Sequence, residues 1–213
     1  MSRNLRAVLF DWDGTLVDTC EPVYRAYARM FADYGIVFDR DVYASTYSPA
    51  WQHTYRSVQL PEEHWPAADR KWLEYFDQEP IARMIDGVPD ALQTLTMRNV
   101  ACGIVTSGTR SRVVRELAAH RVEHHFAGVV CGDDGPRRKP DPEALRVCLD
   151  RIRVAPEDAA YIGDSAEDVM MARAAGVFCV GVRGTYPNHD SLVAASPDFV
   201  ADTLAGAVHH LLG

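Results

Sequence analysis

Short apolar runs, each cut off by a polar or small residue, alternate with stretches of helical period along most of this chain. Residues 6–10 read as a short buried strand that stops abruptly at Asp11-Trp12-Asp13-Gly14-Thr15. From about Glu21 to Arg83 the texture turns helical and aromatic-rich, broken by Pro49, Pro61, Pro66 and Pro80, with about 60 residues free of a convincing strand. After Gly87 the rhythm alternates: helix 89–97, strand 100–105, helix 110–120, strand 127–131, helix 142–151, strand 159–162, helix 166–175 and strand 178–182. A short last strand near 197–200 and a closing helix end the pattern. Such alternation predicts an α/β fold, an open, doubly wound parallel sheet with helices on both faces.

The lone first strand must rejoin a sheet whose other strands begin about 90 residues later. The helical stretch between is therefore expected as an inserted α-helical domain, residues 19–84, with residues 1–18 and 85–213 forming the α/β core. In doubly wound sheets ligands bind beyond the carboxyl ends of the strands, so the polar residues that follow each strand are where chemistry is sought.

Composition narrows the classes. The chain has 213 residues, 47% of them hydrophobic, with 30 acidic against 22 basic side chains and a formal net charge of −8. Folding at this length buries roughly 70% of the surface of the unfolded chain, enough for a core that needs neither disulfides nor metals. The longest apolar stretches, such as residues 7–10 and 177–182, fall far short of the roughly 20 residues of a membrane helix. Asp11 and Asp13 interrupt the first apolar run before a signal-peptide core forms, and a cytoplasmic location is expected. The acidic balance argues against a nucleic acid polymer and leaves room for a small phosphorylated ligand. Cys20, Cys102, Cys131, Cys148 and Cys179 are odd in number and widely spaced, which predicts reduced thiols, several on buried strands.

Four places then carry the candidate chemistry: Asp11 and Asp13, Thr106-Ser107-Gly108, Lys139, and Asp164 with Asp168. Carboxylates, a hydroxyl and one lysine suit a phosphate and a hard cation. Asp11, Asp13 and Asp164 would suit Mg²⁺, which takes one or two carboxylates, keeps waters and accepts phosphate oxygens. A carboxylate attacking a phosphate dianion meets repulsion, which a divalent ion and a lysine offset.

Asp11-Trp12-Asp13-Gly14-Thr15-Leu16, Thr106, Lys139-Pro140-Asp141-Pro142 and Gly163-Asp164-Ser165-Ala166-Glu167-Asp168 resemble the four ordered motifs of the haloacid dehalogenase-like hydrolase superfamily. Each alone is weak; four in order, each after an apolar strand, are strong. The resemblance implies Asp11 as nucleophile, forming an aspartyl-phosphate. It implies Asp13 as the acid for the leaving alcohol and then the base for water, with its backbone carbonyl on Mg²⁺. Thr106, with nearby backbone N–H groups from Ser107 and Gly108, would bind the phosphoryl group, and Lys139 would neutralise charge shared by Asp11 and phosphate. Asp164 would ligate the metal, and Asp168 would hold a metal-bound water or orient the loop. An acid at Asp13 favours phosphoryl transfer over carbon–halogen cleavage, since a leaving halide needs no proton.

The insertion resembles the family's helical cap, which implies a small substrate, and the sequence looks most like the phosphoglycolate phosphatase and β-phosphoglucomutase branch. Where those relatives carry a Gly and a basic or polar residue in the specificity loop, this chain has Ser45-Thr46-Tyr47-Ser48-Pro49-Ala50-Trp51-Gln52. Tyr47, Trp51, His53 and Arg56 are the candidate leaving-group contacts, against a reading of Trp51 and Tyr55 as packing residues at helical spacing. The expected assembly is a monomer or homodimer.

Plainer readings stand beside these. Asp11 and Asp13 alone are a solvated turn, Lys139 after Arg137 and Arg138 an ordinary surface lysine, and Asp168 a surface acid of a helix. Ser107 competes with Thr106 as phosphate ligand. Asp18 and Asp141 read as helix caps. His124-His125 and His209-His210 are surface or packing residues, because adjacent helical residues point about 100° apart and no third ligand is in register. Arg183 and the loop Gly184-Thr185-Tyr186 follow a strand, with no signal to assign them. The leading function is a Mg²⁺-dependent phosphatase for a small phosphomonoester. Its rivals are a phosphomutase, a phospho-Asp signalling receiver, and a module that only binds phosphometabolites.

Overall fold

The computed structural model of the chain describes residues 4–48, 50–135 and 137–213. Pro49, expected in the cap loop, lies outside them. By its contacts the chain divides into Met1–Asp18 with Arg83–Gly213, and Thr19–Ala82. The second junction falls before Arg83, where an expectation from sequence puts it after residue 84. Arg83 and Met84 stay with the sheet unit because the Asp18 N–H donates to the Arg83 carbonyl at 2.9 Å and Val17 bridges Met84.

In the sheet unit, β1 (Ala7–Phe10) carries four apolar residues with no exposed surface. A strand apolar on both faces is stable only where both faces are covered, and it takes a central place. Around it lie β2 (Ala101–Val105), β3 (Phe126–Val130), β4 (Ala159–Gly163), β5 (Phe178–Val182) and β6 (Phe199–Ala201), in the order β3-β2-β1-β4-β5-β6. Every neighbouring pair is parallel. The crossovers are α5 (Val88–Met97), α6 (Arg110–His120), α7 (Glu143–Ile152) and α8 (Ala166–Ala175), with α9 (His189–Ala194) and α10 (Leu204–Leu212) toward the end of the chain. The strand order reverses direction at β1, so β1 and β4 flank the switch point where such sheets bind ligands.

One face of the core gathers Leu9, Val105, Leu145, Leu149, Tyr161, Met171 and Leu192. Cys102, Cys131, Cys148 and Cys179 are buried and all five cysteines are free thiols. Burial pushes the Cys102 and Cys148 thiols up to about 12, far from a reactive thiolate. No described helix is long and apolar enough to cross a membrane.

The other unit holds α1 (Cys20–Ala32), α2 (Arg40–Thr46), α3 (Trp51–Ser57) and α4 (Trp65–Asp77). Its interior is aromatic: Phe31 meets Phe38 at 4.6 Å between centroids, and Tyr27 lies 5.5 Å from Trp72 and 6.4 Å from Tyr55. α1 packs along α4, and Pro at the start of α4 suits a first turn whose N–H has no partner in the helix.

Two capping expectations divide. Asp141 accepts the Glu143 N–H at 2.9 Å at the start of α7. Asp18 is not the N-cap of α1: Thr19 holds that position, and the Asp18 carboxylate pairs with Arg83 at 3.0 Å. His125 lies 3.1 Å from the Thr96 hydroxyl, and His210 stacks on Phe199 at 3.6 Å, packing roles in both cases.

Candidate active site

The parallel register pairs Phe10 with Ile104 on one side and Ile162 on the other. Asp11, Thr106 and Asp164 therefore leave the carboxyl ends of three adjacent strands side by side. After Asp11 the chain turns sharply: Gly14 has φ +77°, and a Cβ there would lie 2.4 Å from Asp164 Oδ2. Only glycine permits both the left-handed backbone and that close approach. The Tyr186 ring closes on the same point and is itself 5% exposed, which places the loop after β5 against the site.

Asp164 opens the strand–turn–helix of the fourth motif. Ser165 caps α8, accepting the Asp168 N–H while the Asp168 carboxylate takes the Ser165 N–H at 3.0 Å and its hydroxyl at 2.7 Å, a reciprocal capping box. That leaves Asp168 fully buried, with its other oxygen turned to Lys139 at 2.7 Å and to the Tyr161 hydroxyl at 3.1 Å. Lys139 has three N–H donors and three acceptors: Asp11 at 2.8 Å, Asp168, and the Tyr161 oxygen at 2.8 Å. Tyr161 in turn donates to the Val105 carbonyl at 2.9 Å, so the ammonium is held from below by a phenol rooted in β4.

Burial dominates the electrostatics. It pushes the Asp11 carboxyl up to about 7, against the pull of Lys139. Burial, then the charges of Asp11 and Asp168, drive Asp164 well above the usual carboxylate range. For Lys139 burial works downward, but Asp11 and Asp168 outweigh it and hold the ammonium above its ordinary value.

Asp11, Asp164 and Asp168 each offer an oxygen within 4.8 Å of the others. Their spare capacity differs. Asp168 has both oxygens on protein donors, whereas Asp164 Oδ2 is buried with no hydrogen-bond partner. A buried carboxyl oxygen left without a partner beside a second carboxyl is a place a cation can fill, and the donor set is that of a hard divalent ion.

Asp13 is outside that cluster of carboxylates. Its carboxylate is gripped by Arg112, Nη1 to Oδ1 at 2.9 Å and Nη2 to Oδ2 at 2.5 Å. Arg112 also pairs with Glu116 at 3.0 Å, and Glu116 accepts the Trp12 indole N–H at 2.6 Å. Thr106 is buried, its hydroxyl oxygen accepting the Gly108 N–H at 3.0 Å, while Ser107 is exposed. Trp12, Arg112, Glu116 and Tyr161 went unread in the sequence: an Arg and a Glu four apart look like a surface helix pair, and Tyr161 like one more apolar strand residue.

Residues 8–182 match the family model described as haloacid dehalogenase-like hydrolase. The chain belongs to the haloacid dehalogenase-like hydrolases. Among its relatives in that family is phosphoglycolate phosphatase 1 of Pseudomonas aeruginosa, 30% identical over 93% of this chain and 77% of the relative. Pyrophosphatase PpaX of Bacillus velezensis is 27% identical over 97% of this chain and 96% of its own. A haloacid dehalogenase-like hydrolase from Streptococcus pneumoniae shares the fold, with a TM-score of 0.85 at 21% identity over 97% of this chain and 98% of that one. This member of the family is a phosphatase.

Three of the helical unit's candidates, Tyr47, Trp51 and Arg56, engage neighbours within that unit. Tyr47 sits edge-on to Tyr43 at 5.3 Å, and Trp51 packs on Tyr55 at 4.8 Å and Trp65 at 5.6 Å. Arg56 lies over the Trp65 ring at 4.9 Å and pairs with Glu62 at 3.4 Å, while His53 is exposed.

Proposed function

We propose that this phosphatase hydrolyses a small phosphomonoester, a phosphoglycolate-like acid or a sugar phosphate, through an aspartyl-phosphate on Asp11, with Mg²⁺ as cofactor and the helical unit as its cap. The observation that carries the reading is the arrangement around Asp11: Lys139 at 2.8 Å on one side, and Asp164 with a partnerless buried oxygen close by. Mg²⁺ would be held by Asp11, Asp164 and the backbone carbonyl of Asp13, where it supplies charge neutralisation for an anionic substrate.

The chain's own groups account for the rest. A carboxylate oxygen of Asp11 attacks phosphorus, forming the aspartyl-phosphate, a mixed anhydride, as the bond to the leaving oxygen breaks; Asp13 gives that oxygen its proton, and the alcohol departs. Asp13, now a carboxylate, takes a proton from water, the hydroxide attacks phosphorus, the bond from phosphorus to the Asp11 oxygen breaks, and inorganic phosphate leaves with Asp11 restored. Lys139, fixed by Asp168 and Tyr161, holds positive charge against Asp11 through both steps. Thr106 with the backbone N–H groups of Ser107 and Gly108 receives the phosphoryl oxygens. Tyr47, Trp51 and Arg56 remain the candidates for recognising the leaving group.

The test is phosphate release with Mg²⁺ across a panel of about 100 phosphomonoesters, phosphoglycolate among them, with pyrophosphate run beside it. Active compounds are expected among small organic-acid and sugar phosphates, and Asp11→Asn is expected to lose several orders of magnitude. Release that survives Asp11→Asn, or none from any compound, overturns the reading; an isomeric sugar phosphate without free phosphate would mean a mutase.

A further inference from the structure

We propose that Arg112 is a positioning residue for Asp13, and that Trp12, Glu116 and Gly108 exist at their places to hold Arg112 there; this rests on the reading of Asp13 as the proton donor and acceptor.

The contacts close a ring that begins and ends in one motif. The Trp12 indole donates to Glu116, Glu116 accepts Arg112 at 3.0 and 3.3 Å, and Arg112 grips both oxygens of Asp13, the residue next to Trp12. Arg112 and Glu116 side chains are 5% and 4% exposed, whereas that of Asp13 is 23% exposed. Folding alone does not call for this. A carboxylate as accessible as Asp13 is adequately hydrated by water, while burying a guanidinium and a second carboxylate is expensive, and an apolar pair would fill the same space more cheaply. What the buried pair adds is direction: a planar fork on two oxygens fixes the carboxylate plane, which one ammonium or a water does not.

A second observation is independent of the ion pairs. A Cβ on Gly108 would lie 2.3 Å from Arg112 Nη2 and 3.3 Å from Asp13 Oδ2. The guanidinium passes over the one residue of Thr106-Ser107-Gly108 that has no side chain. Glycine here makes room for the holder of Asp13 as well as for any phosphate.

A fixed carboxylate matters most where proton transfer limits the reaction. In the first step Asp13 carries a proton on the oxygen toward the leaving group while Arg112 keeps its hold on the other; the bond to the leaving oxygen breaks, Asp11 gains the phosphoryl group, and the proton passes from Asp13 to that oxygen. A poor leaving group such as phenoxide needs the proton early; 2,4-dinitrophenoxide scarcely needs it. The ratio of kcat/KM for 2,4-dinitrophenyl phosphate over phenyl phosphate therefore reports on Asp13 and is blind to a general loss of folded enzyme.

The experiment measures that ratio, with thermal unfolding alongside, for the whole chain and for Asp13→Asn, Arg112→Met, Arg112→Lys, Glu116→Gln and Gly108→Ala. Asp13→Asn is expected to raise it about 100-fold or more, Arg112→Met about 100-fold, and Arg112→Lys, which keeps charge without the fork, about tenfold. Gly108→Ala, which displaces the guanidinium, and Glu116→Gln should raise it less. If Asp13→Asn leaves the ratio unchanged, the reading of Asp13 itself fails. If Asp13→Asn raises it while Arg112→Met lowers both esters equally, Arg112 is structural only and the proposal is overturned. Should Arg112→Met not fold, Arg112→Lys and Gly108→Ala decide by the same ratio.

Discussion

The two units of this chain solve the problem of an interior in opposite ways. The helical unit fills its centre with Tyr27, Phe31, Phe38, Tyr55 and Trp72 and keeps its ion pairs outside, such as Lys71–Asp33 at 2.5 Å and Arg56–Glu62 at 3.4 Å. The sheet unit buries Asp11 and Asp164 at the ends of two central strands, and with them Asp168, Lys139, Arg112 and Glu116 from neighbouring helices and a loop. Aromatic rings gain by leaving water, whereas carboxylates lose unless something compensates them. An interior ring of the first unit thus adds to stability, whereas each buried charge of the second draws on it.

The sharpest way to break that contrast is to truncate in the aromatic interior. Phe31 is fully buried among Tyr27, Phe38 and Tyr55, so Phe31→Ala is expected to cost about 3–5 kcal/mol in chemical denaturation. A loss below about 1 kcal/mol would mean that the rings are not close-packed.

In the sheet unit the sign reverses with pH. The folded Asp11 carboxyl lies near 7 and that of Asp164 well above the usual range, so without a divalent ion the folded chain holds protons that the unfolded chain has released above about pH 4. Stability is then expected to fall as pH rises from about 4 to about 7, by at most about 1.4 kcal/mol per pH unit for each group. Saturating Mg²⁺ should flatten that slope and raise Tm. Asp164→Asn should weaken the slope, respond little to Mg²⁺ and be at least as stable as the parent in chelator; a strong loss of stability on that substitution would contradict the account.

The smallest effect belongs to the surface. Arg56 and Glu62 are 64% and 71% exposed, so Arg56→Gln should change stability by no more than about 0.5 kcal/mol. If phosphate release from one class of ester falls while stability stays put, Arg56 contacts the leaving group.

How far these features were legible in the sequence follows from how local they are. The strands announced themselves because apolar runs such as Ala7–Phe10 end at a carboxylate or hydroxyl, and the inserted unit because its period changes. The short α9 was missed, since six residues in a polar stretch carry too little periodicity. Asp11, Lys139 and Asp164 stood out by motif and order. The grip of Arg112 on Asp13 spans 99 positions, and that of Tyr161 on Lys139 spans 22, so neither has a signature within any window of the chain. Asp168 was seen as part of the motif, but its service to the helix cap and to Lys139 appears only once β4 turns into α8.

The seam at Asp18 and Arg83 has one more implication. There the outgoing and returning strands of chain lie hydrogen-bonded side by side, Asp18 N–H to the Arg83 carbonyl at 2.9 Å and Ile85 N–H to the Leu16 carbonyl at 3.0 Å. A seam zipped on the sheet side is indifferent to what hangs beyond it, because lengthening a closed loop adds only about 0.6 kcal/mol per doubling. The fold therefore has a socket. One helical insert can be exchanged for another of different size and selectivity, by gene rearrangement or at the bench, while the strands beneath keep their register.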